Sequence, residues 1–109
     1  MIRLTLLYNL PDTTDEAEFL HWRLGDHQEE NAAMEGVTHT DFSRIVDQWT
    51  QENAHAAAPY KFMTVVEYAD RESFEKSFYG ESPESMAASL ALMKDPIFLV
   101  CEVLVSTDN

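Results

Sequence analysis

Two histidines and an asparagine lie where they could take part in acid–base chemistry. At helical spacing, His27 and Asn31 share one stripe with Leu20, Leu24 and Met34. A buried polar side chain needs a hydrogen-bond partner, a cavity or a ligand, because burying it unpaired is costly. His27 is therefore either a structural histidine bonded to the backbone or a polar group that lines a pocket.

The chemistry open to these side chains is proton transfer. The imidazole of His27 titrates near neutral pH, so it could deprotonate an acidic carbon or a phenol, or hydrogen-bond a ligand carbonyl. Asn31 could donate a hydrogen bond to a developing oxyanion. His39 follows the next helix–strand turn and could face the same cleft with Asp41. We take His27 and His39 as candidate catalytic residues.

Four aromatic residues could surround a planar substrate, although all four could equally be ordinary core. With Asn31 they form the candidate substrate-binding set: Tyr8, Trp22, Phe62 and Tyr68.

No resident metal or cofactor is expected. No short metal-ligand spacing links His27 to His39, and Cys101 is a single cysteine predicted to be a small buried core residue. The chain shows no Ser/His/Asp set, glycine-rich phosphate loop or redox cysteine pair. A haem would need an axial ligand that only His27 or His39 could supply.

The bulk composition predicts one acidic globular domain spanning residues 1–109. Twenty acidic residues against seven basic ones give a net charge of -13. Nucleic acids and anionic membranes would be repelled by this charge. No run approaches the roughly 20 apolar residues of a membrane span, and the apolar N-terminal run is too short for a signal peptide. A cytoplasmic location is the expectation.

Alternation of apolar residues and capping signals predict six main elements. In chain order they are a strand 2–8, a helix from Thr14 or Asp15 to about Met34, a strand from Val37 to about Gln48, a strand 60–68, a helical region capped by Asp70 and again by Ser82 that ends at Asp95-Pro96, and a strand 97–105, followed by a tail from Ser106 to Asn109.

Three details of this order affect the candidate site. Gly25-Asp26 is a weak point of the first helix, where a kink or a restart capped by Asp26 is expected. Gly36 is expected to end that helix in a left-handed conformation. The polar, alanine-rich segment 49–59 is either a loop or a short irregular helix, and its composition would permit a lid over the cleft.

The order strand, helix, strand, strand, helix, strand is that of the ferredoxin-like α+β fold, with two helices on one face of a four-stranded antiparallel sheet. The other face of the sheet is apolar too, and little chain is left to cover it. A second copy would cover it, so we expect a homodimer in which two sheets enclose a barrel.

Several motifs resemble those of the EthD family of dimeric α+β barrel proteins. Trp22-Arg23, His27 and Gly36, which opens a strand, resemble the family's order of an aromatic pair, a histidine and a Pro-Gly dipeptide. Ser82-Pro83-Glu84 resembles the start of its second main helix, and the stretch from Tyr68 through Asp70 to Phe74 fits the segment before it. The resemblance covers residues 2 to 105. Two family prolines are replaced here, by Glu29 and Glu35.

The resemblance implies a cleft between the sheet and the first helix, near the histidine. Members and relatives include proteins of ether and aromatic degradation, lactone isomerases, and cofactor-independent monooxygenases or cyclases. It therefore implies action on a small apolar or aromatic metabolite by cofactor-independent oxygenation, isomerisation or cyclisation. The alternatives are a non-catalytic small-molecule-binding or accessory dimer, and a structural dimer with a filled interior.

Overall fold

The computed structural model describes residues 1–108 and contains four strands and four α-helices. In chain order these are β1 (Ile2–Asn9), α1 (Glu16–Leu24), α2 (Asp26–Ala33), β2 (Val37–Arg44), β3 (Phe62–Tyr68), α3 (Arg71–Phe74), α4 (Pro83–Ala91) and β4 (Lys94–Glu102). A π-helical turn, Glu75–Tyr79, follows α3. The strands form one antiparallel sheet in the order β2-β3-β1-β4. The predicted ferredoxin-like α+β architecture is confirmed.

Side-chain caps fix where the helices begin. Asp15 caps α1 by accepting a hydrogen bond from the Glu18 amide at 3.0 Å. Asp70 and Ser82 cap α3 and α4 as predicted, with Pro83 as the first residue of α4. Short polar side chains satisfy amides that have no partner inside the helix, so these starts are set locally.

The predicted break at Gly25 divides the first helical region into α1 and α2. Gly25, with φ of -102° and ψ of -102°, occupies the N-cap position of α2, so this helix begins without a capping side chain. The predicted cap by Asp26 is therefore wrong, because Asp26 is already the first helical residue. After α2, Gly36 adopts the predicted left-handed conformation, with φ of 86°.

The two faces of the sheet differ in how they are covered. Alternate residues of β1 and β3 pack under the helices with Phe19 and Phe74 and form the buried core. We call this side the helix face. We call the opposite side the open face, and its apolar members are half-buried or exposed: Leu7, Met63, Val65, Ile97 and Leu99.

β4 begins earlier than predicted and ends earlier. Lys94 pairs with Asn9, and a register shift between this pair and the Leu7–Ile97 pair admits one extra residue in β4. Asp95, with φ of 52°, lies in this bulge, so Pro96 does not stop the strand. At the other end, the Val103 amide bonds the carbonyl of Met1, where β1 runs out.

β2 stops at Arg44, short of the predicted Gln48. After the Arg44–Phe62 pair the Ile45 amide still donates to the Lys61 carbonyl at 2.8 Å, and further along an isolated bridge joins Gln48 to Ala56. Cys101 is also not a core residue: it lies opposite Arg3 on the open face and is exposed. Within residues 1–108, no helix is long and apolar enough to cross a membrane. Asn109, the last residue of the predicted tail, lies outside the described residues.

Candidate functional site

A cavity of about 150 Å³ lies between the helix face of the sheet and the helices. An apolar cavity of about this size holds one benzene ring. Most of its wall is apolar, and six of the lining side chains are charged or polar groups other than tyrosine: Arg23, His27, Asn31, Thr64, Glu81 and Ser89. A small apolar space with a few convergent polar groups is the usual form of a ligand site.

His27 lies in the first turn of α2 and forms part of the cavity wall. Its ring stacks on Trp22 with the centroids 4.3 Å apart, and 29% of the side chain is exposed. Nδ1 is buried without a hydrogen-bond partner among residues 1–108, and the Glu30 Oε2 atom lies 3.6 Å away. That separation is beyond hydrogen-bond range.

Burial lowers the pKa of His27 below its ordinary value of 6.5, and the positive charge of Arg23 lowers it further. The carboxylates of Glu30 and Glu81 act in the opposite direction and are outweighed. His27 is therefore neutral at neutral pH, which is the form that can accept a proton.

Arg23 is a buried cation that is not among the site residues predicted from the sequence. Its side chain is 2% exposed and lines the cavity. Nη1 donates to the Gln28 Oε1 atom at 2.7 Å, Nη2 donates to the Thr64 hydroxyl at 3.3 Å, and the guanidinium lies 4.2 Å from the centroid of the Phe42 ring. Within residues 1–108, no carboxylate oxygen lies within 4.0 Å of it.

Tyr8 lines the cavity beside Arg23 and Thr64. Burial raises the pKa of the Tyr8 hydroxyl, while hydrogen bonding by Thr64 and the charge of Arg23 partly offset this effect. Burial also lowers the pKa of Arg23, and Tyr8 acts against that shift. Arginine has such a high ordinary pKa that its guanidinium stays charged here.

Five of the seven residues selected from the sequence line this cavity: Tyr8, Trp22, His27, Asn31 and Tyr68. Phe62 does not line it. Its ring is fully buried and packs against Phe42, Phe19 and Tyr8 with centroid separations of 5.3, 5.8 and 6.0 Å. Phe62 therefore belongs to the aromatic core behind the cavity.

The expectation that His39 faces the same cleft is wrong. Val37 pairs with Tyr68 and His39 pairs with Glu67, so a register shift between these pairs breaks the alternation of β2. Val37 packs on the core, whereas His39 lies on the open face. There its Nε2 atom is 2.7 Å from an oxygen of Asp41. The structure does not bring His39 together with His27.

The predicted helical stripe also needs correction at one position. Leu24 is 63% exposed, and α1 buries Phe19 and Arg23 instead. Leu20, predicted on the same stripe, packs against the core as a partly buried residue. The four-residue spacing of Phe19 and Arg23 was the available signal, but arginine is seldom fully buried. Nothing local marks Arg23 as inward-facing.

The segment 49–59 does not line the cavity. It is mostly exposed, and Thr50 and Asn53 close a turn within it. Asn9 ties its end to the sheet by bonding the Pro59 carbonyl and the Lys61 amide. Across residues 1–108, no group of three His, Cys, Asp or Glu side chains converges as a metal site would require.

No protein-family model matches the chain, and no curated protein sequence matches it. Solved structures do match. An EthD family protein from Bacillus halodurans is 20% identical with a TM-score of 0.67, covering 95% of this chain and 99% of its own. A dimeric ferredoxin-like protein of unknown function from Thermobifida fusca is 18% identical with a TM-score of 0.66, covering 94% and 90%.

SnoaB, a cofactor-independent oxygenase from Streptomyces nogalater, is 10% identical with a TM-score of 0.65, covering 99% of this chain and 97% of its own. At these identities the likeness concerns the fold. The chain therefore has the ferredoxin-like α+β fold shared by the EthD family protein and SnoaB, which confirms the resemblance to the EthD family at that level.

Proposed function

We propose that the chain is an enzyme that takes a small, largely apolar, aromatic or lactone-like molecule into the helix-face cavity. His27 is the general base of a cofactor-independent isomerisation, cyclisation or oxygenation. The observation that carries the proposal is the neutral His27 in the wall of an apolar cavity. A base held neutral in this way is ready to accept a proton at physiological pH.

All three reactions share one first step. His27 takes the proton from an acidic C–H or O–H group, and the electron pair of that bond stays on the substrate as an enolate or phenolate. Isomerisation returns the proton at another carbon, and cyclisation uses the carbanion to attack a carbonyl carbon within the molecule. In oxygenation the carbanion carbon bonds one atom of molecular oxygen, the oxidant, and the resulting hydroperoxide loses water to leave a carbonyl group.

Glu30 is the positioning residue for this base in the proposal. The buried Nδ1 atom of His27 lies 3.6 Å from the Glu30 carboxylate, which favours the tautomer with hydrogen on Nδ1. Nε2 then carries the lone pair that accepts the substrate's proton. In the proposal this separation shortens to a hydrogen bond once substrate is bound, as catalytic contacts that are long in the free enzyme often do.

A non-catalytic binding dimer, the main alternative, would need no second polar group near His27. Arg23, Asn31 and Glu81 line the same cavity, which favours the enzyme. A structural dimer would need a filled interior, and the space of about 150 Å³ disfavours it. SnoaB supports the cofactor-independent class as a protein of similar fold, although fold alone does not determine a reaction.

We further propose that two copies pair through their open faces. Ile97 and Leu99 are 37% and 45% exposed on this face in the single chain, as a covered interface would explain. The similar protein from Thermobifida fusca is dimeric. The cytoplasmic location and the single domain stay predictions.

The test is solvent deuterium exchange at the acidic C–H of small enolisable lactones and ring ketones, since removal of that proton is the shared first step for substrates with an acidic C–H. We expect His27→Gln to lower the catalysed exchange by about 100-fold, within the usual range for a general base. His55→Gln is the matched control, because His55 lies in an exposed loop, pairs with Asp47 and is outside the cavity lining. Unchanged exchange in His27→Gln would refute the proposal.

A further inference from the structure

Arg23 carries a positive charge into the interior of a strongly acidic protein, although residues 1–108 give it no acidic partner. The net charge is -13, yet none of the twenty carboxylates is paired with this guanidinium within residues 1–108. Burying a charge without an opposite charge is costly. This cost would be offset if a bound ligand supplied the negative charge that pairs with Arg23.

The surrounding groups hold Arg23 in place without using all its donors. A guanidinium has five N–H groups. The hydrogen bonds to Gln28 and Thr64 use two of them, and the Tyr8 hydroxyl also interacts with the group. The Phe42 ring supports one side of the group at 4.2 Å. Because the Arg23 side chain lines the cavity, its remaining N–H donors are available to a ligand bound there.

We propose that Arg23, together with the hydroxyls of Thr64 and Tyr8, is an oxyanion-binding subsite, so that the cavity selects planar molecules with an acidic oxygen. The ligand class comprises phenols and enolisable ring carbonyl compounds, whose bound form is a phenolate or an enolate. This inference rests on the proposed function, because the oxyanion develops when His27 removes the proton.

In the proposal, the charged groups that line the cavity determine how the ligand is oriented in it. Glu81 lines the same cavity and acts on His27, so it disfavours an anion at the histidine end. Arg23 favours an anion at its own end. The ligand oxygen therefore binds Arg23, while the bond that loses its proton faces His27. A charged donor fixed in a water-poor site stabilises a developing oxyanion strongly.

The subsite is tested by equilibrium binding, without turnover. We would titrate the His27→Gln protein with 4-nitrophenol, whose visible spectrum reports ionisation, and with its O-methyl ether, 4-nitroanisole, as an analogue that cannot ionise. We expect the phenolate to bind at least about tenfold more tightly than the anisole and the phenol's pKa to fall on binding, as a charged hydrogen bond provides. No binding, or no preference for the phenolate, overturns the inference.

Arg23→Gln should abolish the preference for the phenolate while 4-nitroanisole still binds. Arg44→Gln is the matched control, since Arg44 is exposed and lies outside the cavity. Should Arg23→Gln not fold, Thr64→Val tests the same subsite and should reduce the preference; an unchanged preference in the folded variant overturns the inference. Since the His27→Gln background has no base, failure here leaves the deuterium-exchange test of His27 unaffected.

Discussion

Both faces of the sheet carry apolar residues and a histidine, but the surroundings of these residues differ between the two faces. The helix face carries the buried aromatic core and a cavity in which His27 is neutral and next to a buried cation. The open face carries half-buried aliphatic residues and His39, which is exposed and paired with Asp41. The comparison teaches that the environment around a histidine, and not the residue type, decides its candidacy for chemistry.

The largest expected effect is on stability, in the core of the helix face. Phe62 is fully buried among three aromatic rings, so Phe62→Ala removes its contacts and leaves a cavity. We expect a loss of about 3–5 kcal/mol in the free energy of unfolding, measured by denaturant titration. Val46→Ala, at an 82% exposed loop position, should change it by less than about 0.5 kcal/mol. Equal losses would contradict the description of the core.

The next effect separates the two histidines. We expect His39→Gln to retain deuterium-exchange activity within about threefold, whereas His27→Gln loses about 100-fold. The reason is that His39 lies on the opposite side of the sheet from the cavity. A loss in His39→Gln as large as that in His27→Gln, with the dimer intact, would show that chemistry involves the open face.

A third prediction concerns the open face alone. Leu99→Glu places a carboxylate on each of two facing sheets, so we expect the dimer to dissociate, as measured by light scattering after size exclusion. Ala87→Glu on the exposed surface of α4 is the control and should stay dimeric. A dimer that survives Leu99→Glu would place the interface elsewhere.

The smallest effect is a pH dependence of stability. The pKa of His27 is lowered in the folded state, so the unfolded chain binds the proton first as the pH falls. The contribution of His27 is complete above 6.5, its ordinary pKa, and is lost as the pH falls from there through the lowered pKa. The free energy of unfolding of the wild type should therefore fall relative to that of His27→Gln over this interval. A difference that stays constant there would contradict the lowered pKa.

Most of the fold could be predicted from signals that involve residues close together in the sequence. Asp15, Asp70 and Ser82 cap helices because a short side chain bonds an amide three residues on, which the sequence shows directly. Gly36 has the expected positive φ for a similar local reason. The β4 boundaries were missed because the bulge at Asp95 depends on pairing with β1.

The candidate site was partly predictable for the same reason. His27 and Asn31 were found from helical spacing, which is local, and both line the cavity. His39 was misplaced because the register shift in β2 is set by its pairing with β3. Arg23 was missed because its burial depends on Thr64 and Phe42, which are distant in sequence.

The most direct measurement of the central claim is a histidine NMR titration of the protein, with and without 4-nitrophenol. The account predicts that His27 titrates below its ordinary pKa of 6.5 and that its signals shift when the ligand binds, while the signals of His39 do not shift. If His27 titrates at or above 6.5, or if the ligand shifts only the signals of His39, the helix-face cavity is not the functional site.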